Sequence, residues 1–231
     1  MGHYRKVFPR HNTFLAVVHV EDVWQALRNV RIAQENGADG VFLINHVHPY
    51  THLLDAYEAV RIDFPSYWVG LNMLDLDLQQ SWAHIPDNCD GLWTDNAGIT
   101  DQGVSSSAKI LLNSRLWMEW GGLYFGGVAF KHQEDVMDLA KVTDLAKPYM
   151  DVITTSGART GYAPDIQKIM TMKSAAGSHP LGNASGISPE NIEPYLPMVD
   201  VFLVATGVSV PHSNELDPMR TRMLADIVRK T

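Results

Sequence analysis

The chain has 231 residues, of which 45% are apolar and 19% are charged, and its net charge is −8 at neutral pH. This composition excludes a disordered or low-complexity chain, and it fits one globular domain large enough to bury a substantial core. The acidic balance, with no cluster of Lys and Arg, argues against nucleic acid as a partner.

The same sequence predicts a cytoplasmic protein with no membrane partner. It has no stretch close to the roughly 18 uninterrupted apolar residues of a membrane helix, and its first residues, MGHYRKVFPRHNT, lack the apolar run of a signal peptide. The single cysteine, Cys89, cannot form an internal disulfide, which agrees with a reducing compartment.

Eight short segments rich in Val, Ile, Phe and Trp predict β-strands, and segments with helical spacing lie between them. The predicted strands cover about 14–19, 40–45, 67–72, 91–95, 123–130, 150–155, 180–184 and 200–206. Strand starts recur about every 27 residues, which is the length of one βα unit. Between the last two strands we predict a helix over 188–196, with Ser188 as its N-cap and Pro189 as its first residue.

Eight βα units in a chain of this length predict an α/β fold, a closed (β/α)₈ TIM barrel. The alternative is an open doubly wound sheet, which normally has GxGxxG after its first strand, whereas here the first strand leads into HVED. No linker marks a second domain, so we predict a single barrel domain over 1–231, with 1–12 as an N-terminal extension. Six strand positions are expected in its apolar layers: Val41, Leu43, Val69, Val128, Val152 and Val204.

Polar residues collect where the predicted strands end, which is where barrels build active sites. Asp95 follows a strongly apolar strand and is the first candidate for a general acid or base, with an Asx turn or helix cap as the structural alternative. Lys131 follows the sequence YFGGVAF and is expected to act by its charge. The alternatives are a base or Schiff-base nucleophile, and a solvated lysine at the loop edge. Further candidates at the mouth are His19, Asn45, His46, Asn72 and Asn96.

The last three strands each lead into a glycine-bearing turn of small residues: TTSGARTG, NASGISPENI and ATGVS. Glycine lets the backbone approach a ligand, hydroxyls add donors, and barrels often bind phosphate with the loops after strands 7 and 8. Turns of this composition are also common without a ligand. We therefore predict a phosphate site formed by the loops after strands 6, 7 and 8. Its candidate residues are Ser156, Gly157, Thr160, Gly161, Asn183, Ser185, Gly186, Thr206 and Gly207.

The sequence LINHVHP resembles the HxH pair with which some barrel hydrolases hold a metal. His46, His48 and Asp95 form the alternative metal site, and loop or hydrogen-bonding roles are the competing interpretation. The sequence specifies no cofactor, so Mg²⁺ or another divalent metal stays open.

Taken together, the strand ends resemble the BtpA family, barrels that stand beside the ribulose-phosphate-binding barrels. The matching sequences are AVVHV, GADGVFLINH, VGLNML, the FK of VAFKHQ, DVITTSGARTGYAPDIQKI and NASGISPENIEPYLPMVDVFLVATG. The resemblance implies a barrel with a phosphate-binding end and gives the ligand role to the glycine-bearing turns. Family members have been linked to photosystem assembly, and related sequences to phosphoribosyl transfer or nucleotide processing.

The leading hypothesis is an enzyme that acts on a phosphorylated sugar or nucleotide. Asp95, Lys131 and His46 would surround the reacting centre, and the reaction would be phosphoribosyl transfer, isomerisation or lyase chemistry. The alternatives are a metal-dependent hydrolase using His46, His48 and Asp95, and a non-catalytic assembly factor. The partner is then a small phosphorylated ligand, and a homo-oligomer is left open.

Overall fold

The computed structural model describes residues 2–159 and 161–230, and it forms a closed barrel of eight parallel strands. The predicted TIM-barrel fold is confirmed. The barrel strands are β1 (Thr13–His19), β2 (Gly40–Ile44), β3 (Val69–Asn72), β4 (Gly91–Thr94), β7 (Leu123–Gly127), β8 (Val152–Thr155), β9 (Leu181–Asn183) and β10 (Val201–Val204). They neighbour one another in chain order, and β10 closes the barrel against β1, with Ala16 of β1 opposite both Val41 and Val204.

Two short strands outside the barrel escaped prediction. They are β5 (Ile99–Thr100) and β6 (Gly103–Val104), which pair as an antiparallel hairpin between β4 and the next helix. Each has two residues, too few to show the alternation that predicts a strand. Because of this hairpin, β8, β9 and β10 are the sixth, seventh and eighth strands of the barrel.

Helices surround the barrel, and most begin at a polar cap. Their bounds are α1 (His3–Val7), α2 (Val23–Glu35), α3 (Tyr50–Asp63), α4 (Leu78–His84), α5 (Ser106–Trp117), α6 (Leu139–Ala146), α7 (Ile166–Ala176) and α8 (Pro218–Arg229). The Asp22 side chain accepts from the Gln25 amide at the start of α2, and Asp77 forms a capping box with Gln80 at the start of α4. None of the described helices is both long and apolar enough to cross a membrane.

The helix predicted over 188–196 is wrong. The segment holds only a 3₁₀ turn, Glu193–Tyr195, and Ser188 bonds locally with Glu190 and Asn191. Pro194 is the seventh of the nine residues of this segment, and its ring and its missing N–H prevent an α-helix from continuing through it.

The core has two apolar layers, one inside the barrel and one between strands and helices. Leu15, Phe42, Phe125 and Leu203 are among the interior residues, and the outer layer joins the strands to α2, α3 and the other helices. All six strand positions predicted to be buried are 2% exposed or less. Because successive side chains along a strand point to opposite faces, each strand supplies both layers.

Candidate functional site

A cavity of about 240 Å³ opens at the carboxyl ends of the barrel strands. We call it the mouth cavity. The polar side chains of its lining come from seven strand ends: His19, His46, Asn72, Asp95, Lys131, His132, Ser185 and Thr206. Gly161, Gly186 and Gly207 add backbone to the lining, and Trp93 and Leu203 belong to both the lining and the barrel interior.

The alternation of side chains between the two faces of each strand decides which predicted residues reach the mouth cavity. His19, His46 and Asp95 each stand two residues after an interior side chain (Val17, Ile44 and Trp93, respectively) and therefore also point inward. Asn45 lies between two inward-facing residues and therefore points outward. Its side chain binds the His48 carbonyl, the Asp75 carboxylate and the Leu74 amide.

The strand order sets these residues opposite one another. In the closed sequence β1-β10-β9-β8-β7-β4-β3-β2, β4 stands across the barrel from β10, and β3 across from β9. Asp95 and Asn72 therefore face the loops of Ser185 and Thr206. A ligand held at one end by those loops presents its other end to the carboxyl of Asp95.

Asp95 is partly buried at the edge of the mouth cavity. Asn72 Nδ2 donates to its Oδ1 at 3.0 Å. Burial raises the pKa of Asp95 above its ordinary value, and the Asn72 hydrogen bond and the charge of Lys131 oppose that rise. A carboxyl group with a raised pKa is suited to general acid or base catalysis near neutral pH.

Two histidines stack beside Lys131. The rings of His19 and His46 lie 4.6 Å apart, nearly parallel at 19°. Burial, the neighbouring His46 and Lys131 lower the pKa of His19 to about 4, and burial with Lys131 also lowers the pKa of His46. Both rings are thus neutral at pH 7 and present a hydrogen-bond donor and an acceptor.

The loop that carries Lys131 is held firmly to its neighbours. The Lys131 amide donates to Ser156 Oγ at 2.8 Å, and Gln133 Nε2 donates to the Asp95 carbonyl at 2.7 Å. Ala129 and His132 have positive φ angles of 47° and 65°, a conformation that costs energy for residues other than glycine. Several hydrogen bonds thus hold Lys131 in a strained loop beside Asp95.

The glycine-bearing turns after β8, β9 and β10 converge, as the sequence predicts. A Cβ on Gly186, whose φ is 66°, would stand 2.0 Å from the Ala163 nitrogen, and one on Gly207 would stand 1.9 Å from the Ile187 carbonyl. These glycines let the backbones of neighbouring loops touch. The amide of Gly186 has no acceptor among the described residues, so it is free to donate to a ligand.

Several predicted site residues lie apart from the mouth cavity. Ser156 and Asn183 are fully buried and bind backbone, Ser156 Oγ receiving the Lys131 amide and donating to the Gly157 carbonyl, and Asn183 Oδ1 accepting from the Ser185 amide. Two others line neighbouring cavities. Gly157 lines one next to α7, and Asn96 lines one between the loops that lead into α4 and α5. Thr160 lies outside the described residues.

The alternative metal site is not assembled. His46 stacks on His19 at the mouth cavity, whereas His48 is exposed and packs its ring 4.6 Å from that of His52. Within the described ranges, no group of three or more His, Cys, Asp and Glu side chains is placed to hold a metal ion.

Three residues near the site were not recognised from the sequence. Trp93 packs in the barrel interior and also lines the mouth cavity. Lys168, on α7, donates to the carbonyls of Ala129 and Ser156, and burial lowers its pKa to about 8. Gln133 links Asp95 to the Lys131 loop. The alternation of side chains along the strand could have found Trp93, but Lys168 and Gln133 depend on tertiary contacts that leave no local pattern.

No protein-family model matches the chain, and no curated protein matches it. Among solved structures, it is similar to (S)-3-O-geranylgeranylglyceryl phosphate synthase from Thermoplasma acidophilum with substrate sn-glycerol-1-phosphate (10% identity, 99% of this chain and 97% of that one covered, TM-score 0.71). It is also similar to a native KDPGal structure (14% identity, 94% of each chain, TM-score 0.67). A third is phosphoribosyl anthranilate isomerase from Thermus thermophilus (12% identity, 94% of this chain and 98% of that one, TM-score 0.65). At these identities the likeness shows the fold alone.

Proposed function

We propose that the protein is an enzyme that acts on a small phosphorylated sugar and moves a proton at the carbon next to its carbonyl group. Such proton transfer is the first step of isomerase and of lyase chemistry. The observation that carries this proposal is the position of Asp95, a partly buried carboxyl group that faces the β9 and β10 loops across one small cavity.

The β9 and β10 loops are suited to the phosphate group. The free amide of Gly186, the Thr206 hydroxyl and the charge of Lys131 border the same cavity, and backbone amides with a cation are typical phosphate ligands. Two of the similar barrels are named for phosphorylated substrates. The motifs that most resemble the BtpA family also lie in these loops, which supports a place in or near that family.

The size of the cavity favours a sugar phosphate over a nucleotide. Its volume of about 240 Å³ lies below the roughly 300–1,000 Å³ of pockets for drug-sized ligands. A three- to six-carbon sugar phosphate suits that space better than a molecule that also carries a base.

The lining also favours proton transfer over phosphoribosyl transfer. Asp95 is the single carboxylate among the described residues that line the mouth cavity, so it would have to hold Mg²⁺ and move a proton as well. Proton transfer alone gives Asp95 a single task and requires no second carboxylate. The described residues do not favour a metal-dependent hydrolase, because His48 packs on His52, apart from His46 and Asp95.

Each side chain then has a stated part. Asp95 takes the proton, and its raised pKa makes its carboxylate a stronger base. Neutral His46 donates a hydrogen bond to the carbonyl oxygen, on which negative charge develops, and the Lys131 ammonium binds the phosphate group.

Deuterium exchange tests this proposal. Dihydroxyacetone phosphate, ribulose 5-phosphate and fructose 6-phosphate are incubated with the protein in D₂O, and NMR follows the proton next to each carbonyl. We expect exchange with at least one of them, and a loss of about 10²–10⁴-fold in Asp95→Asn with a Kd within about threefold of the original. Asp226→Asn, an exposed change on α8, is the control. Unchanged exchange in Asp95→Asn, or no exchange with any sugar phosphate, would overturn the proposal.

A further inference from the structure

A second cavity, of about 420 Å³, lies beside the mouth cavity between the loops that lead into α4 and α5. We call it the side cavity. It shares Asn72, Leu74 and Asp95 with the mouth cavity. Asp95 thus belongs to the lining of both spaces and stands where they meet.

The chemistry of the side cavity differs from that of the mouth cavity. Its described lining contains no Lys, Arg or His and includes two carboxylates, those of Asp77 and Asp95. A phosphate or carboxylate ligand would meet negative charge there without a cation to balance it, which disfavours an anion. The ligand of the side cavity is therefore uncharged where that of the mouth cavity is phosphorylated.

The polar groups of the side cavity suit hydroxyl groups. Asp77 and the Ser105 hydroxyl are engaged in helix caps, and Asn96 Oδ1 accepts from the Gly98 amide. The Ser107 hydroxyl and Asn96 Nδ2 make no hydrogen bond among those described, so they are available to a ligand. Hydroxyl groups can both donate to the carboxylates and accept from these two groups, whereas an apolar molecule would leave them unsatisfied.

We propose that the side cavity binds a second reactant, an uncharged hydroxylated aldehyde, and that the reaction at Asp95 is a reversible aldol addition. This inference rests on the proposed function and narrows it, because an isomerase has one reactant and needs the mouth cavity alone. A lyase that joins or separates two molecules needs both spaces, with the acid or base between them.

The reaction balances without any further reagent. Asp95 takes a proton from the carbon next to the carbonyl of the sugar phosphate, which leaves an enolate. The enolate carbon attacks the aldehyde carbon, so that a carbon–carbon bond forms, the ketone carbonyl re-forms from the enolate, and the π bond of the aldehyde opens to an alkoxide. Asp95 then returns its proton to this alkoxide. In reverse, the same steps cleave the product.

The test fills the side cavity and leaves the mouth cavity open. Ser107→Trp places an indole in the side cavity, and Ser106→Trp, an exposed neighbour outside the lining, is the matched control. Thermal melting checks that both variants fold. Each is assayed for deuterium exchange into the sugar phosphate probes, and for consumption of glycolaldehyde with formation of a longer sugar phosphate.

We expect the unaltered protein to perform both reactions and Ser106→Trp to match it. Ser107→Trp should keep deuterium exchange within about twofold and lose glycolaldehyde addition at least tenfold. Exchange without any consumption of glycolaldehyde would overturn the second reactant and leave the proposed function standing, as would addition that persists in Ser107→Trp. Equal loss of both reactions in a folded Ser107→Trp would also overturn the side cavity as a separate subsite. Absence of exchange in the unaltered protein would overturn both proposals.

Discussion

The two ends of the barrel use aspartate in different ways. At the amino ends of the strands, four aspartates immediately precede every second barrel strand, accept the backbone amide of the neighbouring strand and pair with Arg or Lys. They are Asp39 with Phe14 and Arg10, Asp90 with Val69 and Arg61, Asp151 with Tyr124 and Arg115, and Asp200 with Leu181, Arg5 and Lys173. At the mouth, Asp95 shares its carboxyl with one amide, that of Asn72.

This contrast teaches that partners decide what a carboxylate does. An acid with a backbone donor and a cation is fixed in place, so it ties neighbouring strands together. Within the described part of the chain, Asp95 has no backbone donor on its carboxyl and opens onto the mouth cavity, and burial raises its pKa, so it is suited to exchange a proton with a ligand. The amino end also contains the packed rings of Tyr4, Phe8 and Trp68, which cover the barrel interior. The contacts that stabilise the barrel are therefore concentrated at one end, and the proposed chemistry lies at the other.

The largest expected effect comes from breaking the amino end at Asp200. Asp200→Ala removes a buried carboxylate that accepts the Leu181 amide at 2.9 Å and pairs with Lys173 at 2.8 Å and with Arg5. Removing one partner of a buried ion pair costs about 3–5 kcal/mol, because the remaining charges and the amide lose their compensation. Urea unfolding should show this loss, while the Kd for a sugar phosphate stays unchanged at a temperature where the variant is folded.

Asp226→Ala is the matched control for Asp200→Ala. Asp226 is exposed on α8, so its loss should cost less than about 0.5 kcal/mol. Equal stability of the two variants would contradict the assignment of stability to the amino end.

A second prediction concerns pH and the mouth. The pKa of His19 is about 4 in the folded protein, against an ordinary value of 6.5. Below pH 6.5 the unfolded chain binds a proton that folded His19 does not, so this residue lowers stability as pH falls, until its effect levels off near pH 4. The loss should be about 2 kcal/mol between pH 7 and pH 5. His19→Gln should reduce that loss in urea unfolding, and an unchanged pH dependence would contradict it.

Much of the fold follows from the sequence, because strand burial, helix caps and the βα repeat are local patterns. The barrel strands lie where apolar runs predict them, and the exceptions are the two-residue strands β5 and β6. The helix predicted over 188–196 does not form because Pro194 interrupts it. The prediction gave more weight to the helix-start pattern of Ser188 and Pro189 than to this proline.

The residues at the strand ends were predicted as the candidate site, but the alternation of side chains between the two faces of each strand was not used to choose among them. Asn45 and Asn96 follow strands as Asp95 does, yet they occupy other positions because alternate residues face opposite sides. Gly186 was expected to make room for a ligand, but it also makes room for the backbone of Ala163. A bulky residue there would displace the neighbouring loop, so Gly186→Val cannot separate binding from folding.

A cleaner change at the mouth is Lys131→Met, which removes the charge and keeps most of the stem. We expect the Kd for a sugar phosphate to rise about tenfold, the effect of losing one charge-assisted contact, while the free energy of unfolding changes by less than about 1 kcal/mol. Calorimetric titration and urea unfolding measure the two quantities. A loss of stability as large as the loss of binding energy would give Lys131 the same structural part as the cations of the amino end.

The smallest expected effect, at Ser185, decides whether a mouth hydroxyl serves the ligand or the fold. Ser185 Oγ donates its one hydrogen to the Tyr162 carbonyl at 2.8 Å, with the Arg159 carbonyl as a second acceptor at 3.2 Å, and so joins the β9 loop to the β8 loop. Ser185→Ala should therefore cost about 1 kcal/mol of stability, one hydrogen bond, and change the Kd for a sugar phosphate less than threefold. Ser106→Ala, at an exposed position, should change neither quantity. A Kd about fivefold weaker with no loss of stability would instead show that this hydroxyl donates to the ligand, because its hydrogen cannot serve a carbonyl and a phosphate oxygen fully at once.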